Sequence, residues 1–346
     1  MSIKAFYCLI TIKTFNIVLY SKKNSGGACL LAILFSLKIS DEDKKELKAN
    51  YRQQEFIFCE NMDEAKEHIS KAEVIVTYGN DLNETLVEQA TRLNWVCVLS
   101  AGVDGLPFEA LNKKDILVTN VRGIHKVPMS EYAISMLMQV YRREKILMEK
   151  ERNHEWYRSS RPLEISGKTM LIAGTGAIGR EVARLAKAFH MKTIGVSRSG
   201  RELEYFDENV TTDKIKFRLP EADFIVSVLP STKETKHFYT YDFFEMMKDS
   251  AIFLNMGRGD AVESDVIVKA IKEKEIMHAV LDVFEEEPLP ENHPLWNLEN
   301  VTITPHISGI SPNYLPRALE ILKENLDIYT KGRSDFINKI DISRGY

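Results

Sequence analysis

The chain has 346 residues, of which 44% are hydrophobic and 28% charged, with a formal net charge of −4. That length accommodates two domains and that composition is ordinary for a globular protein, while the slightly negative balance gives no electrostatic reason to expect nucleic acid as a partner. No apolar run is long enough to span a membrane, because Lys4, Lys13, Lys22 and Lys23 punctuate the N-terminal stretch, so no membrane partner is expected.

Residues 5–20 are apolar and β-rich and residues 21–27 are loop-like, and the interrupting Lys13 and the lack of a small-residue cleavage site argue against a signal peptide. Residues 1–25 therefore read as an extension outside the core fold. Cys8, Cys29, Cys59 and Cys97 show neither metal-type spacing nor a paired framework. They fit small core residues in a reducing cytoplasm, and no metal is expected.

From Leu30 the pattern becomes regular. Short apolar runs (LLAILFSL, EFIF, AEVIVTY, WVCVLS, ILVTN) alternate with helical segments such as DEDKKELKANY and ETLVEQATRL up to about residue 120. This predicts an α/β unit on a parallel sheet. A single long helix is then expected from Met129 to about Glu151, preceded by Pro128 and capped by Ser130.

The segment from Lys168 to Arg201 is the most informative. An apolar strand at Met170–Ala173 runs into Gly174-Thr175-Gly176-Ala177-Ile178-Gly179, then a helix carrying Val182, Leu185, Ala186 and Phe189, then a second strand at Thr193–Val196. Gly174 permits the tight turn, Gly176 lets the backbone approach a pyrophosphate, and Gly179 lets the helix lie against the strand. A glycine triplet alone is also a common strand-to-helix turn; the βαβ context makes it a dinucleotide site. Such sites place an acidic residue at the end of the second strand when the ligand is NAD. Ser197, Arg198 and Ser199 stand there instead, with Arg201 just beyond. Cations and hydroxyls suit a 2′-phosphate, so NADP(H) is expected in preference, with NAD(H) as the alternative.

Further apolar runs (DFIVSVL, AIFLNM, MHAVLDVF, VTITPH) continue a doubly wound unit, with helical YDFFEMM and ESDVIVKAIKEKE between them. A last helix is expected from Pro316, carrying Leu319, Leu322 and Leu326 and stopping before Gly332. Three of the runs end in polar residues at the carboxyl edge, where open α/β sheets bind ligands: Arg258, Asp282 with Glu287, and His306. Reducing a 2-oxo acid needs a proton donor near neutrality, a group that orients it, and a cation for the carboxylate. His306, Glu287 and Arg258 supply these in turn, and Asp282 reads as a polar anchor for a nicotinamide carboxamide.

LSAGVDGL at 99–106, VLPSTKET at 228–235, NMGRGD at 255–260, LDVFEEEPLP at 281–290 and TPHIS at 304–308 join the glycine turn in one pattern. From about residue 30 onward the chain resembles the D-isomer-specific 2-hydroxyacid dehydrogenase family, and most of all its glyoxylate/hydroxypyruvate reductases. The resemblance implies two Rossmann-like or flavodoxin-like α/β domains with a cleft between them. The substrate domain would be discontinuous, 26–125 with 310–346, and the dinucleotide-binding domain would be 126–309. It implies that Arg258, Glu287 and His306 form the catalytic set. Tyr78, Gly79, Ala101, Gly102 and Val103, with Arg258, would meet the substrate. Leu229, Pro230, Thr235, Met256 and Gly257 would line the cofactor, and Asp282 and Ser308 would hold its carboxamide. A homodimer built through the helix after Ser130 and a D-2-hydroxy acid product are also implied. The basic turn and the N-terminal segment depart from the family's pattern. A corepressor-type binding protein that senses NAD(P) on the same fold is the alternative expectation.

Overall fold

A computed structural model describes residues 31–103 and 105–342, so the expected extension at 1–25, with Cys8 and Cys29, lies outside the described residues. The first sheet contains β1 (Leu31–Ser36), β2 (Gln54–Cys59), β3 (Val74–Thr77), β4 (Trp95–Val98) and β5 (Leu117–Asn120), in the spatial order β2-β1-β3-β4-β5 and parallel throughout. Both of its faces are covered. Leu34, Ile75, Val96 and Val98 point to one core, while Ile33, Phe35, Val74, Val76, Trp95 and Cys97 point to the other. That is the two-residue alternation of a strand, made apolar on both sides because a parallel sheet is buried on both sides. The connecting helices are α1 (Asp41–Asn50), α2 (Met62–Ala65), α3 (Glu84–Gln89) and α4 (Phe108–Lys113). The first three are capped by the side chains of Ser40, Asn61 and Asn83, which accept from backbone N–H groups of the first turn.

The second sheet follows α5 (Lys126–Tyr141) and α6 (Glu144–Arg152). Its strands are β6 (Thr169–Ala173), β7 (Lys192–Ser197), β8 (Glu208–Thr211), β9 (Phe224–Ser227), β10 (Ile252–Asn255), β11 (His278–Leu281) and β12 (Val301–Ile303). The order β12-β11-β10-β9-β6-β7-β8, again all parallel, reverses direction between β6 and β9. The helices around it are α7 (Ala177–Ala188), α8 (Tyr241–Glu245) and α9 (Ser264–Lys272). The polar strand β8 has no counterpart in the sequence reading; it is an edge strand held by pairing with β7, with Val210 alone of its four residues buried.

The chain returns to the first sheet with α10 (Tyr314–Thr330), whose Ala318, Leu319, Leu322 and Leu326 pack with Ile33, Phe35 and Trp95. Each fully buried leucine contributes roughly 1.5–3 kcal/mol. Surface pairs such as Lys331 with Asp327 contribute about 0.3–0.5 kcal/mol, so apolar burial holds this helix in place.

The expected single helix at 129–151 is two helices. It starts earlier, at Lys126, with Pro128 inside a first turn that needs no N–H donor. Ser130 does not cap it; its Oγ donates to the Val127 carbonyl at 2.9 Å. The break comes at Arg143, in the left-handed region at φ 56° without glycine or proline to announce it. Tertiary packing explains the break: Ala133, Ile134, Leu137 and Tyr141 are buried, whereas no residue of α6 is. Pro316 likewise falls inside the first turn of a helix that begins at Tyr314.

His278, at the start of β11, is 8% exposed and its Nε2 lies 2.9 Å from Thr302 Oγ1. Burial, and secondarily the charge of Lys145, lower its pKa from 6.5 to about 4. The unfolded chain therefore takes up this proton near 6.5 while the folded chain resists it until about 4, so acidification across that window destabilises the fold, by up to about 3 kcal/mol. The urea midpoint should fall between pH 7 and pH 4.5, and fall less in His278→Gln; identical pH dependence in the two proteins would disprove the assignment.

Candidate active site

The carboxyl ends of β10, β11 and β12 place the three expected catalytic residues along one edge. Past β10, Arg258 is held between two close approaches. A Cβ on Gly257 would lie 2.6 Å from the Leu229 carbonyl oxygen, and one on Gly259 would lie 1.9 Å from the Phe284 carbonyl carbon. Only glycine admits these contacts. The fully buried Asn255 closes the turn, its Nδ2 donating to the Arg258 carbonyl at 3.0 Å and its Oδ1 accepting from Gly257 N at 3.2 Å. The Arg258 side chain is exposed, with Nη1 donating to the Gly257 carbonyl at 2.8 Å.

Past β11, Glu287 folds back on its own turn, Oε1 accepting from Phe284 N at 2.9 Å. Its other oxygen, Oε2, lies 2.8 Å from His306 Nδ1. The pair is solvent-accessible, at 34% for Glu287 and 53% for His306, so it is an open contact and not a buried one. Nε2 of His306 has no protein partner among the described residues. A second histidine, His237, lies between carboxylates on the same side, with Nε2 3.2 Å from Glu285 Oε1 and Nδ1 3.4 Å from Glu263 Oε1. It ties the loop after β9 to the acidic turn that carries Glu287.

Asp282 is fully buried, and its carboxylate collects three donors from the segment after β12: Thr304 Oγ1 at 2.5 Å, Ile307 N at 2.9 Å and Ser308 N at 2.9 Å. Both oxygens thus serve the loop that bears His306, a role beyond the carboxamide anchoring expected from the sequence. Ser308 is itself 4% exposed.

At the glycine turn, Gly174 sits at φ 102° with a Cβ position 2.7 Å from the Val228 carbonyl oxygen, and the Cβ position of Gly179 falls 1.9 Å from the Gly174 carbonyl oxygen. Those two glycines are required by the protein's own packing. Gly176 differs: a Cβ there meets nothing within 4 Å. It caps twelve-residue α7, whose first turn, with Ala177 and Ile178, has neither a side-chain cap nor an acidic residue. Open space beside uncapped N–H groups fits a pyrophosphate. Thr175 is half-buried beside it. Leu229 and Met256 are buried, and Thr235 braces the adjoining loop by donating to the Pro230 carbonyl at 2.5 Å and accepting from Thr232 N at 2.9 Å. At the end of β7, Ser197 Oγ accepts from Gly200 N at 3.2 Å, and Arg198, Ser199 and Arg201 are exposed. Glu234, whose carboxyl is lowered by its own backbone N–H, by Thr232 and then by Arg198, comes close to this turn; the sequence reading missed it.

Beyond β4, Ser100 Oγ donates to the Gly102 carbonyl at 2.6 Å and lies 3.2 Å from the Tyr78 carbonyl, which brings the two expected substrate loops together. Asn120 Nδ2 holds the Ala101 carbonyl at 2.7 Å, and Val103 is buried. The Gly79 N–H is donated to Thr77 Oγ1 at 3.0 Å, so the amide of this expected substrate residue is engaged within its own turn. Tyr78, 41% exposed, also borders a cavity of about 540 Å³ at the ends of β1, β2 and β3 that contains none of the catalytic set.

The edges of the two sheets meet through residues that carried no sequence signal. His125 Nδ1 lies 3.3 Å from the Gly309 carbonyl, and its pKa is lowered by burial and, against the effect of that carbonyl, by Arg258. Tyr314, raised to about 12 by burial, donates to the Leu99 carbonyl.

Comparison with known proteins shows the family. Residues 134–308 match the model of the D-isomer specific 2-hydroxyacid dehydrogenase NAD binding domain. The chain is 34% identical over 289 residues to a glyoxylate reductase of Thermococcus litoralis, covering 79% of this chain and 86% of that one. The chain belongs to the D-isomer specific 2-hydroxyacid dehydrogenase family. A solved member from Aeromonas salmonicida superposes with a TM-score of 0.81 at 35% identity, over 90% of this chain and 99% of the other. The NADPH-dependent glyoxylate/hydroxypyruvate reductase of Sinorhizobium meliloti, solved with NADP and sulfate, gives 0.76 at 25% identity over 91% and 100%. This dehydrogenase is thus an NAD(P)-dependent enzyme of a family acting on small 2-oxo and 2-hydroxy acids, and its two parallel α/β sheets are those expected. No helix among the described residues is long and apolar enough to cross a membrane.

The close approach at Gly259 yields a test that needs no substrate. Gly259→Ala should destabilise the protein at or above the upper end of about 1–3 kcal/mol, because backbone lies on both sides of the clash. Gly176→Ala, with nothing to meet, should leave the melting temperature nearly unchanged. Equal melting temperatures for both variants would show that the Arg258 turn and Phe284 do not pack as described.

Proposed function

We propose that this dehydrogenase reduces a 2-oxo acid of glyoxylate or hydroxypyruvate size to the D-2-hydroxy acid, with NADPH preferred over NADH. The observation that carries the reading is the 2.8 Å contact between His306 Nδ1 and Glu287 Oε2. A carboxylate at Nδ1 fixes the plane of the ring and points Nε2 away from it. Nε2 is then the nitrogen that hands a proton to the oxygen of the substrate carbonyl. Arg258 grips the substrate carboxylate and polarises the carbonyl, its exposed guanidinium offering a planar fork. The loop at Ala101, Gly102 and Val103, with Tyr78 and Gly79, closes on the other side of the acid.

A nicotinamide dinucleotide, when held there, would supply the hydride that C2 of the acid accepts. Gly174 to Gly179 would hold its pyrophosphate, and Leu229, Pro230, Thr235, Met256 and Gly257 would line its path, with Asp282 and Ser308 near the carboxamide. Ser197, Arg198 and Ser199, with Arg201 beyond, support the NADPH preference, since hydroxyls and guanidinium groups hold a phosphate that a carboxylate would repel. The likeness to one reductase described as NADPH-dependent, that of Sinorhizobium meliloti, points the same way.

We also propose a homodimer. Ile146, Leu147, Met148, Trp156 and Leu163 are all at least 38% exposed on and just after α6, an apolar surface that a monomer leaves in water. In light scattering the wild type should elute as a dimer and Leu147→Glu as a smaller species; a monomeric wild type would refute this.

Initial rates with a panel of glyoxylate, hydroxypyruvate, pyruvate and longer 2-oxo acids test the reaction. NADPH should outperform NADH, and His306→Ala should lose roughly 10²–10⁴-fold in kcat. A clear NADH advantage, or near-normal kcat in the His306 variant, would overturn the corresponding assignment, and absence of turnover across the panel would favour a cofactor-sensing role.

A further inference from the structure

We infer that Tyr132 is a positioning residue for His306, acting from α5 through Thr304 and Asp282. The inference rests on the proposed role of His306 as proton donor. Tyr132 is half-buried in the middle of α5, and its hydroxyl lies 2.7 Å from Thr304 Oγ1. Either oxygen could donate in isolation, but Thr304 Oγ1 already gives its only proton to Asp282 Oδ1 at 2.5 Å. Thr304 must therefore accept, and Tyr132 donates. The order along the chain of hydroxyls is thus set: tyrosine to threonine to carboxylate.

Asp282 Oδ1 also receives Ile307 N and its Oδ2 receives Ser308 N, each at 2.9 Å, so one buried carboxylate carries the whole turn around His306. That turn is not relaxed. His306 adopts φ 53°, a region that non-glycine residues enter only when the surroundings hold them there, and its own N–H is shared between the Asp282 and Thr304 carbonyls at 2.9 and 3.0 Å. The far end of the segment is held by the same helix end, through His125 and the Gly309 carbonyl, where a Cβ on Gly309 would lie 2.9 Å from the imidazole. The loop bearing His306 is therefore strung between two side chains, His125 just before α5 and Tyr132 two turns along it. Losing the tyrosine hydroxyl leaves Thr304 Oγ1 without a donor and free to rotate away from Asp282, which loosens the carboxylate that fixes His306.

The test uses the full chain and four variants: Tyr132→Phe, Thr304→Val, Thr304→Ser and the Tyr132→Phe/Thr304→Val double. Amide hydrogen exchange over residues 304–309, measured without cofactor or substrate, should be at least about fivefold faster in Tyr132→Phe and Thr304→Val, the factor expected for one lost hydrogen bond. Thr304→Ser keeps the relay and should match the wild type. With the best 2-oxo acid of the panel, Tyr132→Phe and Thr304→Val should lower kcat roughly tenfold at unchanged KM. The double variant should be no worse than Thr304→Val alone, since both break one chain. Wild-type exchange at 304–309 in both single variants, additive losses in the double, or a Thr304→Ser protein as impaired as Thr304→Val would overturn the inference. Exchange does not require turnover, so a wild type that reduces no 2-oxo acid would refute the proposed reaction and leave exchange to decide the relay.

Discussion

A carboxylate taken fully out of water must be surrounded by donors, and Asp282 satisfies that demand entirely from the segment that follows β12. The rest of the site depends on this. Three hydrogen bonds to one side chain at the end of β11 weld the loop from the neighbouring strand in place and hold His306 at a backbone angle it would otherwise avoid. Glu287, five residues past Asp282 on the same connection, is then presented to Nδ1 of the ring. The proposed proton donor and its proposed orienting acid are thus both set from the end of one strand.

Arg258 is placed by a different constraint, the absence of side chains. Gly257 and Gly259 let its turn press against the ends of β9 and β11, and Asn255 clamps the turn from inside. Rigid backbone thus delivers a flexible, exposed guanidinium to the cleft. Loops tethered this way cost little reorganisation when a substrate arrives, which is the advantage of pre-placed charge in catalysis. His237 with Glu263 and Glu285 adds an outer brace between the cofactor-side loop and the acidic turn, at distances and exposures that make it weaker than the Asp282 anchor.

The two sheets are joined beside the candidate site. Tyr314 to Leu99, His125 to Gly309 and Tyr132 to Thr304 are all contacts of the segments that cross between them, and two of the three reach the turn around His306. Movement of one sheet relative to the other would therefore be felt at that turn. The apolar residues of α6 lie outside this network, which separates the surface proposed for assembly from the surface proposed for chemistry.

Much of this was legible in the sequence because it follows from local rules. Strands buried on both faces read as apolar runs, Gly174 and Gly179 mark contacts only glycine allows, and Arg258, Glu287 and His306 fall at strand ends because ligands bind there. Family membership followed from those motifs. What the sequence could not show depended on contacts between distant segments: the break at Arg143, which comes from a buried helix giving way to an exposed one; the edge strand β8, held by pairing and little by its own apolarity; the Gly79 amide already engaged by Thr77; and the burial of Asp282 beneath the His306 loop. Tyr132 and His125 had no local signature, since a tyrosine within a helix and a histidine just before it are ordinary until the fold sets them against residues more than 170 positions away. Residue types and their spacing determined which chemistry is present; only the packing of α5 and the strand ends decided how that chemistry is held.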